Sequence, residues 1–145
     1  MQASPSYRPV HGGPRAYRAR VRTRGPIVGM IPAAVMGLLA LVLLHGSTST
    51  SRGIPGFALA VLAAPALLAV GVPLATGTGR YGLAIAASAV LWFVIGVIAA
   101  RRSTRSPVAT WRDFWREWAW PAAGVWLGVG VAFGIAKLTV GGALF

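Results

Sequence analysis

Four stretches of this 145-residue chain, at about 26–44, 56–76, 82–100 and 119–136, contain no Asp, Glu, Lys, Arg or His. Each is close to the roughly 20 residues that cross the hydrocarbon core of a bilayer. Where water is excluded, a single segment satisfies its own backbone only as a helix, and the period-two alternation of a membrane barrel is missing. The sequence therefore predicts an all-α integral membrane protein with four transmembrane helices. Composition agrees, since 56% hydrophobic against 11% charged residues is a balance that water-soluble domains of this size rarely have.

Charge is concentrated outside those runs. Residues 1–25 carry six arginines, Arg8, Arg15, Arg18, Arg20, Arg22 and Arg24, among Pro, Gly and Ser, with too little aliphatic content to offset chain entropy. A disordered Arg-rich N-terminal tail is expected there, followed by a helical membrane domain over 26–145. The tail is long for a signal peptide, and the first run exceeds a usual h-region, so an uncleaved anchor is favoured over cleavage in HGSTSTS. A net charge of +12 raises the question of nucleic acid. A basic cluster flanking an apolar run is instead what holds a membrane segment's end in the cytoplasm, and Arg18, Arg20, Arg22, Arg24, Arg101, Arg102 and Arg105 are read as topology and anionic-lipid contacts. Nucleic acid is thus an unlikely partner. Thirteen arginines against one lysine is the bias of a GC-rich genome, which points to a multi-pass protein of a bacterial plasma membrane.

The second run contains Pro65 and Pro73, each of which removes a donor and clashes with the preceding turn, so kinks are expected. After it, GTGRYG at Gly77–Gly82 matches the spacing of a dinucleotide-binding fingerprint. The preceding strand and the acid about 20 residues later are both missing, and a tight interhelical turn is the better reading.

The segment TWRDFWREWAW holds four of six tryptophans and both acids, Asp113 and Glu117. Thr110 and Asp113 form a capping pair for a new helix. On that helix Trp111, Phe114, Trp115 and Trp118 share one face. Indoles favour the headgroup boundary, so 110–118 is expected to be a short interfacial helix that leads through Trp120 and Pro121 into the last span. These five aromatics are the candidate lipid anchors, with docking of a partner as the alternative. Flanking arginines keep both carboxylates ionised, with no nucleophile or metal ligand beside them, which argues against acid–base catalysis.

In the last span Gly124, Gly128, Ala132 and Ala136 recur every fourth residue and form a helix-packing stripe, read first as contact with the chain's own helices. Orientation is strained: with four spans and the N-terminus inside, the arginines at 101–116 fall outside, against the usual bias. A re-entrant second run would put both clusters inside, yet it gives up a strongly apolar span; four helices with the N-terminus inside is retained as the expectation.

No enzyme, cofactor or metal site is expected. Cysteine is absent, and His45 alone offers one axial haem ligand. The function expected is a structural, accessory or assembly role, packing against lipid, a membrane partner or a second copy. The alternative is a small oligomeric transporter or channel subunit, weakened because no ionisable group lies at membrane depth, where Ser88 is the nearest polar candidate.

Overall fold

The computed structural model describes residues 13–46, 50–69, 71, 78–106 and 109–141. Every regular element among them is helical: α1 (Pro14–Val28), α2 (Ile31–Leu44), α3 (Thr50–Ala63), α4 (Ala66–Ala69), α5 (Thr78–Ser103) and α6 (Trp111–Gly141). Three helices are long and apolar enough to cross a membrane, Pro14–Leu44, Gly79–Ser103 and Trp111–Ile135. The first joins α1 to α2 through two turn residues, Gly29 and Met30, between Pro26 inside α1 and Pro32 at the start of α2.

Close approaches fix the helix directions. An added Cβ at Gly25 would meet Ala100 and Phe114, and one at Gly29 would meet Gly96 and Trp118. Along α1, therefore, α5 runs backward and α6 runs forward. At Gly96 the same test places Pro26 backbone atoms only 2.8 and 2.9 Å away, so α1 and α5 touch backbone to backbone. Glycine permits this approach, and in lipid such packing supplies the attraction that apolar burial cannot. The core forms around this crossing from Val21, Ala33, Trp92, Ile95, Ala99, Ala100, Phe114, Trp118 and Ala122.

Beyond the crossing α2 and α5 diverge, and α3 returns antiparallel to α2, with Gly56 on Leu43 and Leu44 and Gly37 opposite Ala63. Thus α3 and α5 start at the same end of the molecule and run the same way. Large apolar side chains such as Leu38, Val42, Leu83, Val90, Leu127 and Val131 face outward, as lipid-facing surfaces require.

Three expectations differ from this arrangement. The second apolar run is no fourth long helix: it is divided between α3 and the one-turn α4, and residues 70 and 72–77 lie outside the described residues. Its interruption is at Pro65, which has no N–H for the carbonyl of Val61 and disfavours helical conformation at Ala64. The expected tail is helical from Pro14 onward, residues 1–12 lying outside the described ones. Its Val21 and Gly25 are buried, and that packed line supports a helix which composition alone does not. Finally, 110–118 is not a separate helix. Trp111 begins one helix of 31 residues, about 46 Å long, that continues through Pro121. Pro121 removes one hydrogen bond, while Phe114, Trp118 and Ala122, four residues apart, form a continuous buried line that carries the helix past it.

The Gly96 contact is testable. Gly96→Ala is expected to destabilise the fold by about 1–3 kcal/mol, because the new methyl meets backbone that cannot rotate away. Gly124→Ala, with nothing within 4 Å of its Cβ position, leaves the thermal midpoint in detergent unchanged or higher. Equal midpoints for both variants would show that the crossing is not the tight one described.

Candidate functional site

The break in the second apolar run places irregular backbone among apolar helices, and α5 supplies partners for it. Ending α3 at Ala63 frees a carbonyl, which accepts a hydrogen bond from Trp92 Nε1 at 2.7 Å. Restarting the chain as α4 frees the N–H of Ala66, which donates to Ser88 Oγ at 3.1 Å. Ser88 in turn donates to the carbonyl of Ala84 at 2.8 Å. Ser88 and Trp92 lie four residues apart on one face of α5, 2% and 1% exposed. Non-helical backbone at membrane depth persists only where the protein satisfies it, as these two side chains do. The sequence singled out Ser88 as a polar residue; it carried no sign that Trp92 would bond the end of another helix.

Beside the break lies an apolar cavity of about 330 Å³ between the diverging α2 and α5, with α3 and α4 as its third wall. Small residues dominate its lining, among them Ala33, Ala34, Gly37, Ala40 and Ala60. Its polar lining is the Ser88–Trp92 pair, already engaged by backbone. Such a surface is apolar, and none of the described residues lining it is ionisable. Among the described residues no group of three or more His, Asp or Glu could hold a metal ion.

The aromatic segment is built as a packing element. Thr110 caps α6: Asp113 N–H donates to Thr110 Oγ1 at 3.3 Å, and the Asp113 carboxylate accepts from the Thr110 hydroxyl at 2.6 Å and its N–H at 3.1 Å. The reciprocal pair expected from the sequence is thus present. Of the five candidate anchors, however, Phe114 and Trp118 are 0% and 5% exposed, inside the core. Trp111 is half-buried beside them, and only Trp115 and Trp120 reach the surface, at 38% and 77%. The reason is the glycine line on α1: without side chains at Gly25 and Gly29, Phe114 and Trp118 pack onto its backbone. Trp118 also stacks on Trp92 at 5.8 Å between ring centroids and meets Trp126 edge-on at 5.9 Å. The buried Nε1 atoms of Trp118 and Trp126 have no hydrogen-bond partner among the described residues. Of the acids, Asp113 serves the cap and Glu117, half-buried, lies 4.0 Å from the exposed Arg116, a pair of little energetic weight.

The same crossing gathers the arginines. Because α1 starts, α5 ends and α6 starts at one end, Arg18, Arg20, Arg22 and Arg24 share it with Arg101, Arg102 and Arg105, all exposed. Arg52, Arg80 and His45 are at the opposite end, the first two in the opening turns of α3 and α5. Of the GTGRYG match, Gly79 and Gly82 belong to α5 and Gly77 lies outside the described residues; no strand is present among the described ones.

Among the described residues, none covers the helix-packing stripe on α6 at Gly124 or Gly128. Gly124, Gly128 and Ala132 are exposed, and nothing lies within 4 Å of an added Cβ at Gly124, Gly128, Gly130 or Gly134. One aromatic contact, Phe57 with Phe133 at 6.0 Å, joins this half of α6 to α3. The side chains of Ala136 and Lys137 lie outside those described. The small residues that do pack, Gly25 and Gly29 against Gly96 and Ala100, repeat the same four-residue spacing, a signal present in the sequence but divided between the presumed tail and the first and third runs.

Comparison with protein-family models, with curated proteins and with solved structures returned no match.

Removing the Ser88 hydroxyl leaves the Ala66 N–H without its acceptor, a loss of about 1–3 kcal/mol. For Ser88→Ala, hydrogen exchange at Ala66–Leu68 is expected to accelerate about tenfold or more, since 1.4 kcal/mol corresponds to tenfold. Exchange at wild-type rates would mean that the hydroxyl does not hold the break.

Proposed function

We propose that this chain is a non-enzymatic, polytopic cell-membrane protein with an assembly role, docking on a partner membrane subunit or a second copy through the outer half of α6. The observation that carries this reading is the exposed line Gly124, Gly128 and Ala132, where a neighbouring helix would meet no side-chain bulk. Within the same helix Phe114 and Trp118 lie in the chain's own core, so α6 divides into a first half that packs internally and an outer half left for another molecule. The stripe's first reading, contact with the chain's own helices, is therefore set aside in favour of an external one.

For topology we favour three crossings, with α3 and α4 as a re-entrant segment, over four. Support comes from the gathering of the α1, α5 and α6 arginines at one end: that end is cytoplasmic under the usual charge bias, and the strain of a four-span arrangement disappears. In this placement Trp115 and Trp120 serve as boundary anchors and the first turns of α6 lie at headgroup depth. The strong arginine bias supports a bacterial plasma membrane as the location.

A transporter or channel subunit is the second reading, favoured by the broken helix beside a cavity, a combination used by transporters at their binding sites. It is the weaker one, because Ser88 and Trp92 are already engaged and no ionisable side chain lines the cavity.

Reporter fusions at residue 105 and at the C-terminus are expected to read cytoplasmic and external respectively; an external reading at 105 removes the three-crossing topology. For the docking face, Gly128→Leu is expected to reduce crosslinked assemblies in native membranes at least tenfold while the thermal midpoint is retained. Assemblies at wild-type abundance, or a protein that stays alone under every mild extraction, would reject the assembly role.

A further inference from the structure

We propose that the cavity between α2 and α5 is a phospholipid site that holds one acyl chain along α2, with the lipid phosphate between Arg52 and Arg80. This goes beyond the docking face on α6, from which it is separate, and shares with it only the reading of the long helices as membrane spans.

Shape is the first argument. The cavity follows α2 from Met30 to Leu44, 14 residues or about 21 Å along the helix axis. One leaflet of a hydrocarbon core about 30 Å thick accounts for about half that thickness, so the groove is long enough for one chain of one leaflet. Its volume of about 330 Å³ is at the small end of ligand pockets, which run to about 1,000 Å³, and suits a single chain and not a whole lipid. The floor is closed by Met30 and the ring of Trp92, where α1 and α5 come together. Alanine and glycine along α2 and α3 leave the width open, and the polar atoms at the wall are occupied by backbone, so a hydrocarbon meets no unsatisfied group.

Charge complementarity is the second. At the mouth, Arg52 precedes Gly56, which packs on Leu44, by one turn, and Arg80 precedes the lining residue Ile85 by little more than one turn. Both arginines are exposed. The chain's two acidic side chains, Asp113 and Glu117, are both at the opposite end, in the first turns of α6, so neither can neutralise them. Two cations in the opening turns of helices that wall an apolar groove match an anionic phosphate attached to a hydrocarbon tail, and Arg binds phosphate with a planar fork of donors.

The test is lipid retention by the full chain, purified in maltoside detergent and titrated with palmitoyl-oleoyl phosphatidylglycerol, read by native mass spectrometry. Wild type is expected to hold one phospholipid in preference to the diacylglycerol with the same chains. Gly37→Leu fills the groove without a backbone clash, since a Cβ there meets only Ala63 at 3.7 Å, and is expected to lower retention at least tenfold. Ala89→Leu, from the α5 wall, is a second plug whose outcome should agree. Arg52→Gln with Arg80→Gln is expected to abolish the preference for phospholipid over diacylglycerol. Gly128→Leu on α6 leaves retention unchanged, which separates this site from the assembly role. Tryptophan emission identical to wild type identifies folded variants. Retention unaltered in both plugged variants overturns the site, and equal binding of diacylglycerol by wild type overturns its phosphate half. A dimer mass that Gly37→Leu abolishes, with lipid stoichiometry unchanged, would assign the groove to a second copy instead.

Discussion

The backbone-to-backbone contact between Gly96 and the end of α1, at Pro26 and Gly29, is the constraint on which the rest of the molecule depends. In lipid an apolar side chain gains nothing by leaving its solvent, so two helices associate through the fit of their surfaces. Two lines of small residues, Gly25 and Gly29 against Gly96 and Ala100, give that fit at close range. They set α1 and α5 antiparallel, and they open the shelf onto which Phe114 and Trp118 of α6 pack. Past the crossing the helices separate, and the space between them is what α3, α4 and the cavity occupy.

Filling that space with a proline-broken helix creates a second problem, since Ala63 and Ala66 present backbone groups far from either end of α5. Ser88 and Trp92 answer it from one face of α5, so the same residues that line the cavity also make its wall possible. The cavity and the break are therefore one feature. A longer unbroken helix in place of α3 and α4 would need neither side chain.

Much of this was legible in the sequence and some was not, for identifiable reasons. Charge-free length marked the helical class and the three long helices, because no other structure satisfies so long an apolar backbone. The Thr110–Asp113 cap was readable because a cap is local and its spacing is fixed by the first turn. Pro65 announced a distortion, but whether it kinks or ends a helix depends on partners, and Trp92 lies 27 residues further along the chain. The aromatic face of α6 was correctly placed on a helix while its neighbour was not, since amphipathicity says which side is apolar and not whether lipid or protein covers it. Gly25 escaped notice for a similar reason. It stands among arginines in a segment whose composition argues against order, and its value appears only when Ala100 and Phe114 are opposite. The glycines of α6 were conspicuous and yet have no neighbour among the described residues, so the stripe is legible as a surface but not as a contact.

The lopsided placement of arginines has one further consequence. A chain that keeps its dense cationic end on the negative side of an energised membrane resists inversion, since each elementary charge carried across 100 mV costs about 2.3 kcal/mol. With that end cytoplasmic, as proposed, all copies would insert the same way round, and the proposed pairing of two copies through α6 would be parallel, about a rotation axis along the membrane normal.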